Sequence, residues 1–102
     1  MKSVYTVDEI KEILHSIFDE SPVIRALIFG SYAKGAPSLQ SDVDILIDCN
    51  GEVRGIDFFG ILDEVTEALN VPVDLIEISQ VVAGSRVDRE ISETGVVIYE
   101  RS

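Results

Sequence analysis

Asp42-Val43-Asp44-Ile45-Leu46-Ile47-Asp48-Cys49 is the stretch on which the reading of this chain turns. Extended backbone sends alternate side chains to opposite faces, so Asp42 and Asp44 share one face while Val43 and Ile45 point into the core from the other. The run Ile45-Leu46-Ile47 marks a strand plunging into that core, with the two acids at its mouth. Carboxylates about 7 Å apart along one strand repel each other and are costly to hold against an apolar sheet. A divalent cation offsets that repulsion, and all-oxygen ligands suit magnesium or manganese. An isolated D-x-D at a strand end open to solvent would cost little, so the tripeptide does not decide alone.

Two neighbouring stretches bear on it. Upstream, residues 23–29 are short, apolar and β-branched, a buried strand ending at Gly30. Gly30-Ser31-Tyr32-Ala33-Lys34-Gly35 follows at once. Gly30 allows a sharp turn and leaves space for a ligand. The exposed N–H groups of such a turn and the Ser31 hydroxyl suit a phosphate oxygen, and Lys34 brings an ammonium towards the same anion. A Gly-Ser turn is also common loop punctuation. Downstream, Asp74 lies in Val71-Pro72-Val73-Asp74-Leu75-Ile76. A charge in a buried strand needs a partner. If this strand neighbours the one carrying Asp42, three carboxylates converge; a salt bridge to Lys34 or an arginine is the alternative.

The remaining elements follow from periodicity. Thr6 and Glu9 form a capping-box pair ahead of Ile10, Ile13, Leu14, Ile17 and Phe18, which predicts an amphipathic helix over 7–20 that Ser21-Pro22 stops. A loop with Gly35, Pro37 and several serines leads to the strand over 42–49, and residues 51–55 form a break. A second helix is expected over 56–69, a third strand over 71–78, a last helix within 80–94 with Val87 and Ile91 inward, and a closing strand over 96–99. Gly95 suits the left-handed position past the last helix. The order helix, strand, strand, helix, strand, helix, strand implies an α/β (α+β) fold: a mixed β-sheet of about four strands, with helices expected on one face. Two strands in succession argue against a regular doubly wound sheet, and the strand order does not follow from the pattern.

Composition narrows the function. With 102 residues the expectation is one domain over 1–102. Nineteen acidic against eight basic residues give a formal charge of −11, which repels nucleic acid at long range. Direct nucleic-acid binding is therefore not expected, and the acid is read as serving metal binding, solubility or a basic protein partner. No apolar run is long enough for a bilayer and the N-terminus lacks a signal-peptide core, so a cytoplasmic protein without membrane association is expected. The single cysteine, Cys49, fits a reducing compartment and a core or rim position. His15 is expected at the margin of the first helix and Glu64 and Glu67 on the solvated face of the second, while Arg86 and Arg89 either solvate the last helix, the favoured reading, or sit near the nucleotide. Tyr32 suits either a core position or stacking on a base.

Taken jointly, GSYAKG, SDVDILID, VDLIEI and GVVIYE span nearly the whole chain in an order and spacing that resemble the DNA polymerase beta-like nucleotidyltransferase superfamily, and within it the minimal nucleotidyltransferases (MNT). The resemblance implies roles. Gly30 and Ser31 match the pair that grips a triphosphate, and Lys34 falls where relatives often carry a basic residue. Asp42 and Asp44 match the metal-binding pair; Asp74 matches the third carboxylate, which helps hold the catalytic metal and deprotonates the attacking hydroxyl. Two magnesium ions would clamp the attacking and leaving oxygens of an in-line displacement at the α-phosphorus of ATP. The sequence carries no helical acceptor-holding domain after residue 102, so a partner is expected to complete the site. The resemblance points to a HEPN-domain toxin, on a tyrosine of which AMP would be placed, the chain acting as antitoxin. The alternatives are a module that neutralises its partner by contact alone and a nucleotidyltransferase acting on a small molecule such as an antibiotic.

Overall fold

The computed structural model describes residues 5–35, 42–51 and 55–101. The expected loop around Pro37 lies at 36–41, outside the described residues. Helix α1 (Val7–Asp19) begins as its capping box dictates: the Glu9 N–H donates to Thr6 Oγ1 at 3.1 Å and the Thr6 N–H to Glu9 Oε1 at 2.8 Å. A cap of this kind stabilises a helix by about 1 kcal/mol. Strand β1 (Arg25–Phe29) and strand β2 (Val43–Asp48) follow, then α2 (Gly55–Leu69), β3 (Val73–Glu77), a short 3₁₀ turn (Ile78–Gln80), α3 (Arg86–Thr94) and β4 (Val96–Glu100).

The sheet order is β3-β2-β1-β4. Strand β1 is antiparallel to both β2 and β4, whereas β2 and β3, joined through α2, run parallel. A mixed sheet of four strands is therefore what the pattern of elements implied. Its two faces differ from the expectation of cover on one side. Val43, Ile45 and Ile47 of β2, with Ala26 and Ile28 of β1, pack against α1 and α2 in the main core. The opposite face bears Leu27, Phe29 and Leu46, and there Val87 and Ile91 of α3 lie against it. The physical reason is that Phe29 and Leu46 are apolar at positions alternating with the first set, so a second apolar face needs cover. Each buried aliphatic side chain contributes about 1.5–3 kcal/mol to the packing.

Two further details position the site. Gly95 is not left-handed; its φ of −60° and ψ of 132° are extended. Glycine is needed for space, since a Cβ there would stand 2.5 Å from the Ile91 carbonyl oxygen and 3.2 Å from Leu27 Cδ2. That closeness lets the chain pass from α3 directly into β4 beneath the sheet. At the far end, Arg101 holds β4 to α1: its Nη2 donates to the carbonyls of Phe18, Asp19 and Ser21 at 3.0, 2.9 and 3.1 Å. These carbonyls lie at and just past the C-terminus of α1, and a cation there meets the negative end of the helix dipole. No helix among the described residues is long and apolar enough to cross a membrane.

Candidate active site

Strand directions bring the acids to one place. Phe29, the last residue of β1, lies opposite Asp44 near the start of β2, and Asp44 lies beside Asp74 at the start of parallel β3. Adjacent strands stand about 4.8 Å apart, so two carboxylates on the same face of neighbouring strands are within strong mutual influence. Alternation directs Asp44 to the face shared with Leu46, the one that α3 covers. Asp42 and Asp74 are exposed, whereas Asp44 is half-buried.

The electrostatics record the crowding. Asp44 has its pKa pushed up to about 6, first by burial, then by the like charges of Asp74, Glu90 and Asp42, with Arg86 opposing. Among the described residues none of the three aspartates pairs with a cation; Arg86 pairs instead with Glu90, Nε to Oε1 at 3.7 Å. The alternative of Asp74 in a bridge to Lys34 or an arginine is thus not seen. Among the described residues no three carboxylate, imidazole or thiol groups stand close enough to form a ready metal cage. Mutual repulsion spreads such groups, and the all-oxygen set with one carboxylate held half-protonated near pH 6 is of the kind that a hard divalent cation draws together.

The phosphate-turn candidate abuts this cluster. Gly30 is buried with φ of +77°, and a Cβ on it would stand 2.5 Å from Asp44 Oδ2, so both conformation and space demand glycine. The chain then winds through one helical turn, with the Lys34 N–H on the Gly30 carbonyl at 3.1 Å and the Gly35 N–H on that of Tyr32 at 3.1 Å. Ser31 is half-buried and Lys34 exposed. Tyr32 takes the core position, 3% exposed, so its ring is not free to stack on a base. Burial, aided by Tyr5, raises its phenol pKa.

Helix α3 supplies two neighbours that the sequence reading did not single out, Glu90 and Thr94. The Gly30 N–H donates to Thr94 Oγ1 at 2.9 Å, and that hydroxyl donates to the Glu90 carbonyl at 2.6 Å. Arg86, Glu90 and Thr94 recur every four residues and form a stripe beside the half-buried Val87 and Ile91. Of the two positions weighed for Arg86, beside the nucleotide or solvating the helix, its charge acting on Asp44 favours the former. Arg89 keeps a local role, Nη1 donating to the Gly84 carbonyl at 3.1 Å. The spacing was visible in the sequence, but which helix face meets the aspartates depends on the sheet order. His15, Glu64 and Glu67 are exposed as expected, His15 resting 5.7 Å from the Tyr99 ring. A shallow cleft of about 300 Å³ between α1 and β4, lined by Lys11, His15 and residues 97–100, shares no residue with the carboxylate cluster.

Residues 8–102 match the model of the family described as polymerase beta, nucleotidyltransferase. A protein of Methanocaldococcus jannaschii named as a protein adenylyltransferase is 37% identical over 75 residues, spanning 70% of this chain and 87% of the relative. The fold is similar to that of a toxin-antitoxin crystal structure with AMP-PNP, with a TM-score of 0.75 at 17% identity over 90% of this chain and 74% of the other. It is also similar to a chain in the complex of a tri-AMPylated Shewanella oneidensis HEPN toxin with MNT antitoxin, with a TM-score of 0.70 at 14% identity over 93% of this chain and 73% of the other. Identities this low speak for the fold alone; the match across residues 8–102 and the 37% relative carry the assignment. The chain is therefore a nucleotidyltransferase and belongs to the polymerase beta nucleotidyltransferase family.

Proposed function

We propose that the chain transfers AMP from magnesium-ATP to a hydroxyl on a partner protein, a tyrosine of a HEPN-type toxin, and thereby acts as its antitoxin. The observation that carries this reading is the register that sets Asp44 beside Asp74 and opposite Phe29, with Gly30 against the Asp44 carboxylate. The relative named as a protein adenylyltransferase and the fold shared with toxin-antitoxin complexes support the acceptor class.

In this reading Gly30 and Ser31, with Lys34, hold the triphosphate, Ser31 donating its hydroxyl proton in a hydrogen bond to a phosphate oxygen. Asp42, Asp44 and Asp74 hold magnesium, which when bound supplies positive charge against the repulsion among the carboxylates and the phosphates. Asp74, exposed at the start of β3, accepts the proton of the attacking hydroxyl. The hydroxyl oxygen forms a bond to the α-phosphorus, the bond from that phosphorus to the bridging oxygen breaks, and pyrophosphate leaves with the electron pair. Positioning and charge neutralisation account for most of the rate.

The test incubates the purified protein with α-labelled ATP, magnesium and the product of the neighbouring gene. Label on the partner, lost in Asp42→Asn and Asp44→Asn, is the expected result. Neutralisation of the partner that persists in both variants without label would replace transfer by binding alone. Pyrophosphate released only on adding a small-molecule acceptor would replace the protein acceptor.

A further inference from the structure

The end of β1 poses a hydrogen-bonding problem that the fold solves in an unusual place. Strand β4 starts at Val96, opposite Ile28, so the sheet ladder has run out by Gly30. Gly30 is buried, and an unsatisfied buried N–H is costly. Its partner comes from 64 residues away, the Thr94 hydroxyl at 2.9 Å. That hydroxyl is itself fixed, because its proton goes to the Glu90 carbonyl at 2.6 Å. With its one proton committed to Glu90 and a lone pair to Gly30, the hydroxyl rotor is fixed. Helix α3 is in turn seated on the sheet through Val87 and Ile91.

Gly30 has no slack on its other side, where Asp44 Oδ2 fills the place a side chain would take. The direction of the Gly30 N–H therefore sets where Ser31 and the turn after it stand relative to Asp44. We propose that Thr94 is a positioning residue: its hydroxyl fixes the Gly30 turn against the Asp44 carboxylate and so sets the turn's fit to the phosphates of a nucleotide. The proposal rests on the nucleotide-binding reading above and adds to it a residue on α3 that touches neither nucleotide nor acceptor. Serine keeps the hydroxyl at this position; valine keeps the shape and loses it.

The experiment compares wild type, Thr94→Val and Thr94→Ser by three measurements: exchange of the Gly30 amide proton by NMR, affinity for AMP-PNP with magnesium by calorimetry, and the urea unfolding midpoint. In Thr94→Val the Gly30 amide is expected to exchange at least about tenfold faster and AMP-PNP to bind about tenfold more weakly, about the worth of one hydrogen bond. Thr94→Ser is expected to restore both. Should Thr94→Val unfold, Thr94→Ser against Thr94→Ala carries the same comparison. Unchanged exchange and affinity in Thr94→Val, or a serine variant as impaired as the valine one, overturns the proposal. If wild type takes up no AMP-PNP while Gly30 exchange still accelerates in Thr94→Val, the anchor stands and the nucleotide reading falls.

Discussion

Replacing Asp44 by asparagine should make the metal-free protein more stable while abolishing transfer. Asp44 has its pKa raised from 3.8 to about 6 by burial and by Asp74, Glu90 and Asp42. For an acid with a raised folded-state value the penalty is absent below pH 3.8, where folded and unfolded chains are both protonated. It grows as pH rises and is complete above about 6. Two units at about 1.4 kcal/mol each set a ceiling of about 3 kcal/mol. Asp44 is only half-buried, so solvent screening cuts this to about 1–1.5 kcal/mol. Asparagine keeps the shape without the charge, and the melting temperature should rise by about 5–10 °C at neutral pH. The assay is urea unfolding followed by circular dichroism at steps from pH 3.5 to 8 in chelator. Wild type and Asp44→Asn should coincide at the acid end and diverge between pH 4 and 6. Saturating magnesium should stabilise only the wild type, by linkage to a cation bound in the folded state. A constant difference at all pH values, or a less stable variant at pH 7.5, would refute the reasoning.

Three further outcomes are expected. Gly30→Ala places a methyl 2.5 Å from Asp44 Oδ2 at a φ of +77°, so it should cost about 1–3 kcal/mol in urea unfolding and remove AMP-PNP binding in calorimetry. Glu77 is buried at the other end of β3; burial alone would raise its pKa, but hydrogen bonds from the Ser79 hydroxyl and N–H and the Cys49 N–H outweigh this and lower it. Its contribution is present above pH 4.5 and fades as pH falls below it, so Glu77→Ala should lose about 2–3 kcal/mol at pH 7 and less at pH 3 by the same unfolding assay. Arg101→Ala removes three hydrogen bonds at the end of α1 and should lower stability in urea unfolding by about 1–3 kcal/mol, while the Kd for AMP-PNP stays within twofold of wild type.

Local chemistry was legible because it depends on near neighbours. The Thr6–Glu9 cap is a matter of three residues, and it forms as the sequence implies. Alternation along 42–47 separates Asp44 from Val43 and Ile45 whatever the sheet does. What escaped was set by contacts distant in sequence. That α3 would cover the second face follows from β1 lying between β2 and β4, an order no periodicity records. Thr94 and Glu90 enter the picture only through that placement, and Arg86 with them. Gly95 misled for a different reason: glycine after a helix usually signals a left-handed cap, whereas here the want of room beside Ile91 and Leu27 selects it.

The tie between Gly30 and Thr94 has a consequence for biosynthesis. A ribosome that has made only the first three strands has already supplied every aspartate of the cluster, but not the hydroxyl that orients the glycine beside them. Nor has it supplied β4, which flanks β1 on its outer side, or Arg101, which finishes the first helix. A nascent chain halted before residue 94 should thus be inert towards nucleotide, and competence should arrive only once residues 94–101 can join the rest of the fold.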